Sequence, residues 1–152
     1  MSTQVIINSN SSPLLVTRPK KRALVVVGKQ GPAGPAQSTI LGTAGEDLGG
    51  HRAVVFNASG QAVYADQTET DHAGRIAGVT TGAATSGSAV TIQRTGEMTE
   101  PGWSWNPESP LYLGTDGMLT ETPPTSGVLQ SIGHAVTATK ILLDFSLYIV
   151  RG

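Results

Sequence analysis

The sequence predicts an all-β protein with three parts: an extended N-terminal arm, a short collagen-like neck and a C-terminal β-sandwich or β-barrel knob that forms trimers. Three observations predict this class. The 152 residues include 19 Gly and 9 Pro, a composition that favours turns over helices. Apolar residues reach 38% with a formal net charge of −1, so a packed core is expected rather than disorder. Short apolar runs alternate with glycine-rich turns over residues 39–152, as in sandwiches and barrels.

Composition also excludes several classes of protein. The chain contains no cysteine, which excludes a disulfide scaffold, a thiolate zinc site and a cysteine nucleophile. It contains no run of 18 apolar residues, so we expect no membrane-spanning segment. The N-terminus lacks the basic start and apolar middle of a signal peptide, and the composition fits folding in a reducing cytoplasm.

Residues 1–27 form the first predicted unit, an extended arm. It contains three short apolar segments separated by polar breaks, and such isolated strands bury little surface within a monomer. We therefore expect the arm to add its strands to another chain. The residues expected to anchor it are Val5, Ile6, Ile7, Leu14, Leu15, Val16, Arg18, Lys20, Lys21 and Arg22.

Charge is distributed unevenly along the chain. Residues 1–45 carry five basic and no acidic residues, whereas residues 46–152 carry five basic and eleven acidic residues. Four of the basic residues lie at positions 18–22, between two apolar segments of the arm. Such a cluster is also typical of nucleic-acid binding, but no aromatic stacking platform lies nearby. Docking onto an acidic protein surface is therefore the favoured interpretation.

Residues 28–38 form the predicted neck. Glycine recurs every third residue at Gly28, Gly31 and Gly34, with proline after two of the three glycines. This period is typical of the collagen triple helix, where only glycine fits at the axis, so it indicates a trimer. The alternative is a stiff polyproline II spacer on a single chain, and the segment alone does not choose between them.

Residues 39–152 form the predicted knob domain. Turn signals separate candidate strands at 52–56, 61–65, 75–79, 89–94, 111–113, 118–120, 128–132 and 140–150. The strands at 111–113 and 118–120 flank a glycine-bounded turn and predict a hairpin. The last strand is the longest and most apolar, so it is expected in the core or along a subunit interface.

The few aromatic residues are expected to contribute strongly to packing. Trp103 and Trp105 lie two residues apart in a loop bounded by prolines, so in an extended segment their indoles point the same way. One interpretation is an aromatic patch that binds a sugar, together with Tyr112. The favoured interpretation is that the pair closes the end of the domain or packs on a neighbouring subunit.

The sequence contains no recognised catalytic or metal-binding motif. His51, His72 and His134 lie in separate segments without the spacing of metal ligands. The carboxylates match no calcium-loop spacing, and neither a Gly-x-Ser-x-Gly turn nor a phosphate-binding glycine loop occurs. We therefore expect a protein that is not an enzyme and that carries no cofactor and no metal.

Five stretches of the second half of the chain carry a family resemblance. They are Gly74-Arg75-Ile76-Ala77-Gly78-Val79, Val90-Thr91-Ile92-Gln93, Gly96-Glu97-Met98-Thr99-Glu100-Pro101-Gly102-Trp103-Ser104-Trp105, Leu111-Tyr112-Leu113-Gly114-Thr115-Asp116-Gly117-Met118-Leu119-Thr120 and Gln130-Ser131-Ile132-Gly133-His134-Ala135. They resemble a module of tailed-bacteriophage virion structural proteins, found in short-fibre knobs and in capsid-decoration (cement or head-fibre) proteins.

The resemblance implies a structural protein of the virion, made in the cytoplasm of the bacterial host. Its implied partners are two further copies of itself, in a homotrimer, and other virion proteins of the capsid, tail or baseplate. Whether it belongs to the head or the tail is left open. The alternative function is a carbohydrate-binding adhesin that uses Trp103 and Trp105 to recognise a host-surface glycan.

Overall fold

The computed structural model describes residues 38–151, which form two antiparallel β-sheets. The predicted all-β class is confirmed, since the regular elements of these residues are strands and one three-residue 3-10 turn, Thr70–His72. The arm at 1–27 and the neck at 28–38, apart from its last residue, lie outside the described residues. Among the described residues there is no helix of the length and apolarity needed to cross a membrane.

The first sheet contains five strands within the described part of the chain, in the spatial order β1-β5-β4-β2-β3. Every neighbouring pair is antiparallel. The strands are β1 (Thr39–Thr43), β2 (Ala53–Phe56), β3 (Ala62–Tyr64), β4 (Gly78–Thr80) and β5 (Ala89–Gln93).

The second sheet follows the first in the chain, and its spatial order is β6-β10-β9-β7-β8 over residues 96–143. The strands are β6 (Gly96–Thr99), β7 (Pro110–Leu113), β8 (Leu119–Thr120), β9 (Gly127–Thr137), β10 (Lys140–Leu143) and β11 (Tyr148–Arg151). The predicted hairpin at 111–120 is confirmed as the β7–β8 pair. β9 pairs with β7 and β10 through its second half and with β11 through its first half.

The main core contains residues of both sheets. Ala53, Val55 and Val79 of the first sheet belong to one buried cluster with Leu111 and Ile132 of the second sheet. Ala53 and Val55 lie two positions apart in β2, so their side chains share the face of the strand that is buried against the other sheet. Val54, on the opposite face of β2, belongs to a second buried cluster with Leu48, Val90 and Ile92. The first sheet is therefore covered on both faces.

The predicted strand at 140–150 is interrupted. Leu143 pairs with Gly133 and Tyr148 pairs with Gln130, so four residues of the return strand lie opposite two residues of β9. The fully buried Gln130 side chain explains the break, because its Nε2 donates hydrogen bonds to the carbonyls of Phe145 (3.1 Å) and Leu147 (3.2 Å). Of the two places predicted for this strand, the core does not hold residues 147–150, which are 47–54% exposed, and a subunit interface for them stays a prediction.

Two strands were absent from the prediction, and one is shifted. β1 was not predicted because its apolar signal is weak: Leu41 is 74% exposed and faces solvent. β6 was not predicted because Met98 is its one large apolar residue, buried between polar neighbours. The predicted strand at 75–79 begins later, at Gly78, because Ile76 and Ala77 are buried before the paired ladder starts.

Candidate functional site

A cavity of about 350 Å³ opens between two loops and the β7–β8 hairpin. The β1–β2 loop contributes His51 and Arg52, and the β6–β7 loop contributes Glu100, Trp103 and Trp105. The hairpin closes the cavity with Met118 and Leu119. Residues from both sheets therefore converge on one concave, aromatic-lined surface, the usual form of a ligand site.

The buried Thr80 of β4 positions the β1–β2 loop. Its Oγ1 accepts a hydrogen bond from Arg52 N (3.0 Å) and donates one to the Gly49 carbonyl (2.7 Å). Its own carbonyl accepts a bond from His51 N (2.8 Å). These bonds hold His51 in the left-handed region at φ 58°, a conformation that is uncommon for a non-glycine residue.

The loop that carries the two tryptophans is fastened at both ends. Trp103 N donates to the Glu100 carbonyl at 3.0 Å, and Trp105 N donates to the Ala138 carbonyl of the β9–β10 turn at 2.9 Å. Beyond them, Asn106 donates from its backbone N and from Nδ2 to the two carboxylate oxygens of Glu121. The indoles are thus held on a loop with little freedom to move.

The aromatic rings form one contiguous cluster. The Trp103 and Trp105 ring centroids lie 5.8 Å apart, and the His51 ring meets Trp103 edge-on at 5.2 Å. His51 Nδ1 also lies 3.3 Å from Glu100 Oε2. Both indoles are partly buried against the main core, and both line the cavity. The two interpretations of the pair are compatible in this geometry.

Trp105 carries a further feature. Its Nε1 is buried and has no hydrogen-bond partner among the described residues. A buried donor without a partner costs about 1–3 kcal/mol, so native proteins rarely keep one.

A second cavity of about 550 Å³ shares two lining residues, Met118 and Leu119, with the first. Gln67, Thr115 and Thr125 line its other walls. The Gln67 Oε1 atom is buried and, like Trp105 Nε1, has no hydrogen-bond partner within residues 38–151.

Asp66 fixes the wall shared by the two cavities. Its carboxylate accepts hydrogen bonds from Thr68 N (2.8 Å), Thr68 Oγ1 (2.7 Å) and Asp116 N (3.0 Å), which ties the chain after β3 to the β7–β8 turn. Burial raises the pKa of Asp66, but the hydrogen bonds from Thr68 and Asp116 outweigh it and hold the pKa below its ordinary value. The turn therefore depends on an ionised carboxylate.

A different surface feature lies at residues 147–150, which are Leu147 and the first three residues of β11. Leu147, Tyr148, Ile149 and Val150 are each about half exposed, and because they are consecutive they present apolar side chains on both faces of the strand. Tyr148 lies over Gly74, where an added Cβ would come within 2.8 Å of its ring. The strand is therefore held in place while about half of the surface of these side chains remains uncovered.

The residues singled out from the sequence fall into three groups. Trp103 and Trp105 line the first cavity, whereas Tyr112 does not, because it lies on the face of β7 opposite to the buried Leu111 and Leu113. The predicted arm and neck residues lie outside the described part of the chain. The described residues contain no group of three His, Cys, Asp or Glu side chains arranged to hold a metal ion.

His51 was missed by sequence reasoning. Its contact with Trp103 joins residues more than fifty positions apart, and neither metal spacing nor a catalytic motif marks it. The one local signal is the preceding Gly49-Gly50 pair, which indicates a tight turn but not which residue the turn presents.

Comparison of the chain with protein-family models gives no match, and comparison with curated proteins gives none either. Among solved structures, the chain is similar to the N base of the head fiber protein gp8.5 of bacteriophage phi29. The two chains share 14% sequence identity with a TM-score of 0.48, over 73% of this chain and 95% of that chain.

Proposed function

We propose that the protein is a non-enzymatic structural component of a tailed-phage virion. In this proposal it forms a trimeric short fibre or capsid decoration, which residues 1–27 anchor to another virion protein. The β domain then projects outward as a knob. The sequence resemblance of residues 74–135 to phage virion modules supports the class of protein.

The single observation that carries the proposed assembly is the uncovered apolar surface of residues 147–150. Four consecutive large apolar side chains, each about half exposed, mark a protein–protein contact more often than a free surface. The glycine period at Gly28, Gly31 and Gly34 supports three-fold symmetry, because a triple helix requires glycine at every third position. We therefore assign the β11 surface to the contact between copies of this chain.

Light scattering of the purified full chain tests this assembly. The expected mass is about three times the 15.7 kDa of one chain, as for a closed cyclic trimer. Ile149→Glu should yield monomers with unchanged circular dichroism, whereas Thr91→Glu, on an exposed position of β5, should remain trimeric. A stable monomer of the wild type at micromolar concentration would contradict the trimer, and a trimeric Ile149→Glu variant would contradict the assigned surface.

Location within the virion is tested by copy number. A few copies per particle would indicate a fibre at a unique vertex or tail, and hundreds would indicate decoration of the capsid. A chain without residues 1–27 should fold but fail to enter particles, and normal incorporation of this chain would place the anchor elsewhere.

A second candidate function is carbohydrate binding. The observation that favours it is that Trp103 and Trp105, with His51 and Glu100, line a cavity large enough to hold one sugar ring. A glycan array of mono- to tetrasaccharides, probed with the full chain, tests it. Binding to no member of the array would contradict this function and leave the structural role unaffected.

A further inference from the structure

The exposed apolar residues at 147–150 lie on two faces of the second sheet, and the register of the strands shows which residue lies on which face. Ser131 of β9 pairs with Tyr112 of β7, and Ser131 N donates to the Leu147 carbonyl at 2.8 Å. Residues paired across neighbouring strands point to the same face of a sheet. Tyr112 lies on the face of β7 that is turned away from the main core. Leu147 therefore lies on this outer face, and so does Ile149, two positions further along the strand.

The opposite face of β11 is turned toward its own domain. Tyr148 pairs with Gln130 and Val150 pairs with Val128, and both of these β9 partners are fully buried. Tyr148 also lies against Gly74 of the same chain. The two apolar residues on the outer face are 54% and 47% exposed, so the described residues leave about half of each side chain uncovered. The outer face is therefore the one that is free to meet another molecule.

This outer face lies at the end of the second sheet where the chain enters the domain. Ser38 N donates to Thr95 Oγ1 at 3.1 Å, so the chain enters beside Gly96, the first residue of β6. Gly96 pairs with Leu143, the last residue of β10. β9 continues past this row of residues, and its continuation pairs with β11. The chain that precedes Ser38 therefore reaches the domain at the end that carries β11.

The open backbone edge of β11 does not explain a contact among three copies. Because Ser131 N binds the Leu147 carbonyl, alternation in the antiparallel pair directs the backbone groups of Tyr148 and Val150 to the outer edge. Within residues 38–151 these groups have no hydrogen-bond partner. Pairing of this edge with the same edge of a second copy would be antiparallel and two-fold, so it would close at a dimer. A three-fold contact between identical surfaces therefore uses side chains rather than this edge.

We propose that the outer face of β11 lies on the three-fold axis of the trimer, where Leu147 and Ile149 of three copies pack against one another. The partner of this face is thus the same face of two further copies. The glycine period of residues 28–34 supports it, because a neck on the axis leads into the end of the domain that carries this face. This inference rests on the proposed trimer and adds to it the face and the two side chains that meet on the axis.

Ile149→His in the full chain tests the axial position, because it brings one imidazole from each copy to the axis. Three imidazoles that meet there can bind one Zn²⁺ with Zn–N distances of about 2.0–2.1 Å. We expect titration calorimetry to give one Zn²⁺ per three chains, and Zn²⁺ to raise the melting temperature of the trimer. Val150→His is the matched control, since its position is 51% exposed against 47% but lies on the opposite face. It should respond to Zn²⁺ like the wild type, whose three native histidines set the background.

The outcomes separate this inference from the trimer on which it rests. A zinc response that is equal in Ile149→His and Val150→His, or absent from both, would overturn the axial position while a trimeric wild type stands. A monomeric wild type would overturn both. An Ile149→His variant that is monomeric alone and trimeric with Zn²⁺ supports the inference. Should that variant fail to fold, Leu147→His on the same face decides, with the same expected ratio of one Zn²⁺ to three chains.

Discussion

Replacement of Gln130 by leucine is expected to destabilise the protein strongly, although leucine is of similar size and apolar. Gln130 is fully buried, its Oε1 accepts from Gly74 N at 2.9 Å, and its Nε2 lies within 3.2 Å of the carbonyls of Ser131, Phe145 and Leu147. The two N–H groups can satisfy two of these carbonyls well, so about three hydrogen bonds are lost. At about 0.5–1.5 kcal/mol each, and more where a backbone group stays buried and unpaired, the loss is about 3–5 kcal/mol.

Equilibrium unfolding in urea, followed by tryptophan fluorescence, measures this loss. Gln61→Leu makes the same change at a partly exposed position whose side chain makes no hydrogen bond with any residue of the described range 38–151, and it should stay within about 0.5 kcal/mol of the wild type. The amides of β11 should also exchange with solvent faster in Gln130→Leu, because Gln130 joins β9 to the break before that strand. A Gln130→Leu protein within about 1 kcal/mol of the wild type would refute the reasoning.

Three further predictions concern other parts of the chain. Gly133→Ala should lower the free energy of unfolding by more than about 3 kcal/mol, because the φ of Gly133 is +152° and an added Cβ would lie 1.9 Å from the Leu142 carbonyl oxygen. Gly82→Ala is the control, and it should be nearly neutral because no atom lies within 4 Å of an added Cβ. Thermal unfolding measures both. Because the pKa of Asp66 is lowered on folding, its carboxylate stabilises the fold above pH 3.8 and loses this effect as pH falls through the folded pKa. The melting temperature should therefore fall more between pH 7 and pH 3 in the wild type than in Asp66→Asn, and equal falls would contradict the role of Asp66. Replacement of the four basic residues at 18–22 by Gln should slow particle assembly relative to the wild type. The difference in rate should shrink as the salt concentration rises, because charges are screened over about 10 Å at 0.1 M salt. A difference that does not depend on salt would argue against electrostatic docking.

Sequence reasoning located some strands through apolar side chains that alternate with polar ones. β5 shows this clearly, with Val90 and Ile92 buried and Thr91 exposed, and the β7–β8 hairpin follows from its glycine-bounded turn. The break at 144–147 could not be predicted, because it depends on contacts that Gln130 makes with residues fifteen and more positions away. A glutamine in an apolar strand does not indicate, by itself, whether it faces solvent or backbone carbonyls.

The candidate site was predicted in part. The two indoles were identified by their spacing and their proline-bounded loop, and they do line a cavity. His51 in the first cavity and Gln67 in the second were not identified, because each lies in a loop whose course is set by long-range contacts. For His51 that contact is the buried Thr80, whose hydroxyl and carbonyl bind the loop. Such contacts have no periodic signature in the sequence.

The position of β1 bears on how the domain would withstand force. β1 follows residues 1–37 directly, so a pull exerted through those residues enters the fold at Ser38 and Thr39. Five residue pairs join β1 to β5, and bonds from Arg94 N to the Ser38 carbonyl (2.7 Å) and from Ala44 N to the Ser88 carbonyl (2.8 Å) extend the ladder at both ends. A pull along the strand axis loads all these bonds together, whereas a pull across it opens them one at a time. If residues 1–27 tether the domain to a particle, the time for which the domain stays folded under a pulling force depends on the direction of that force relative to the β1–β5 ladder.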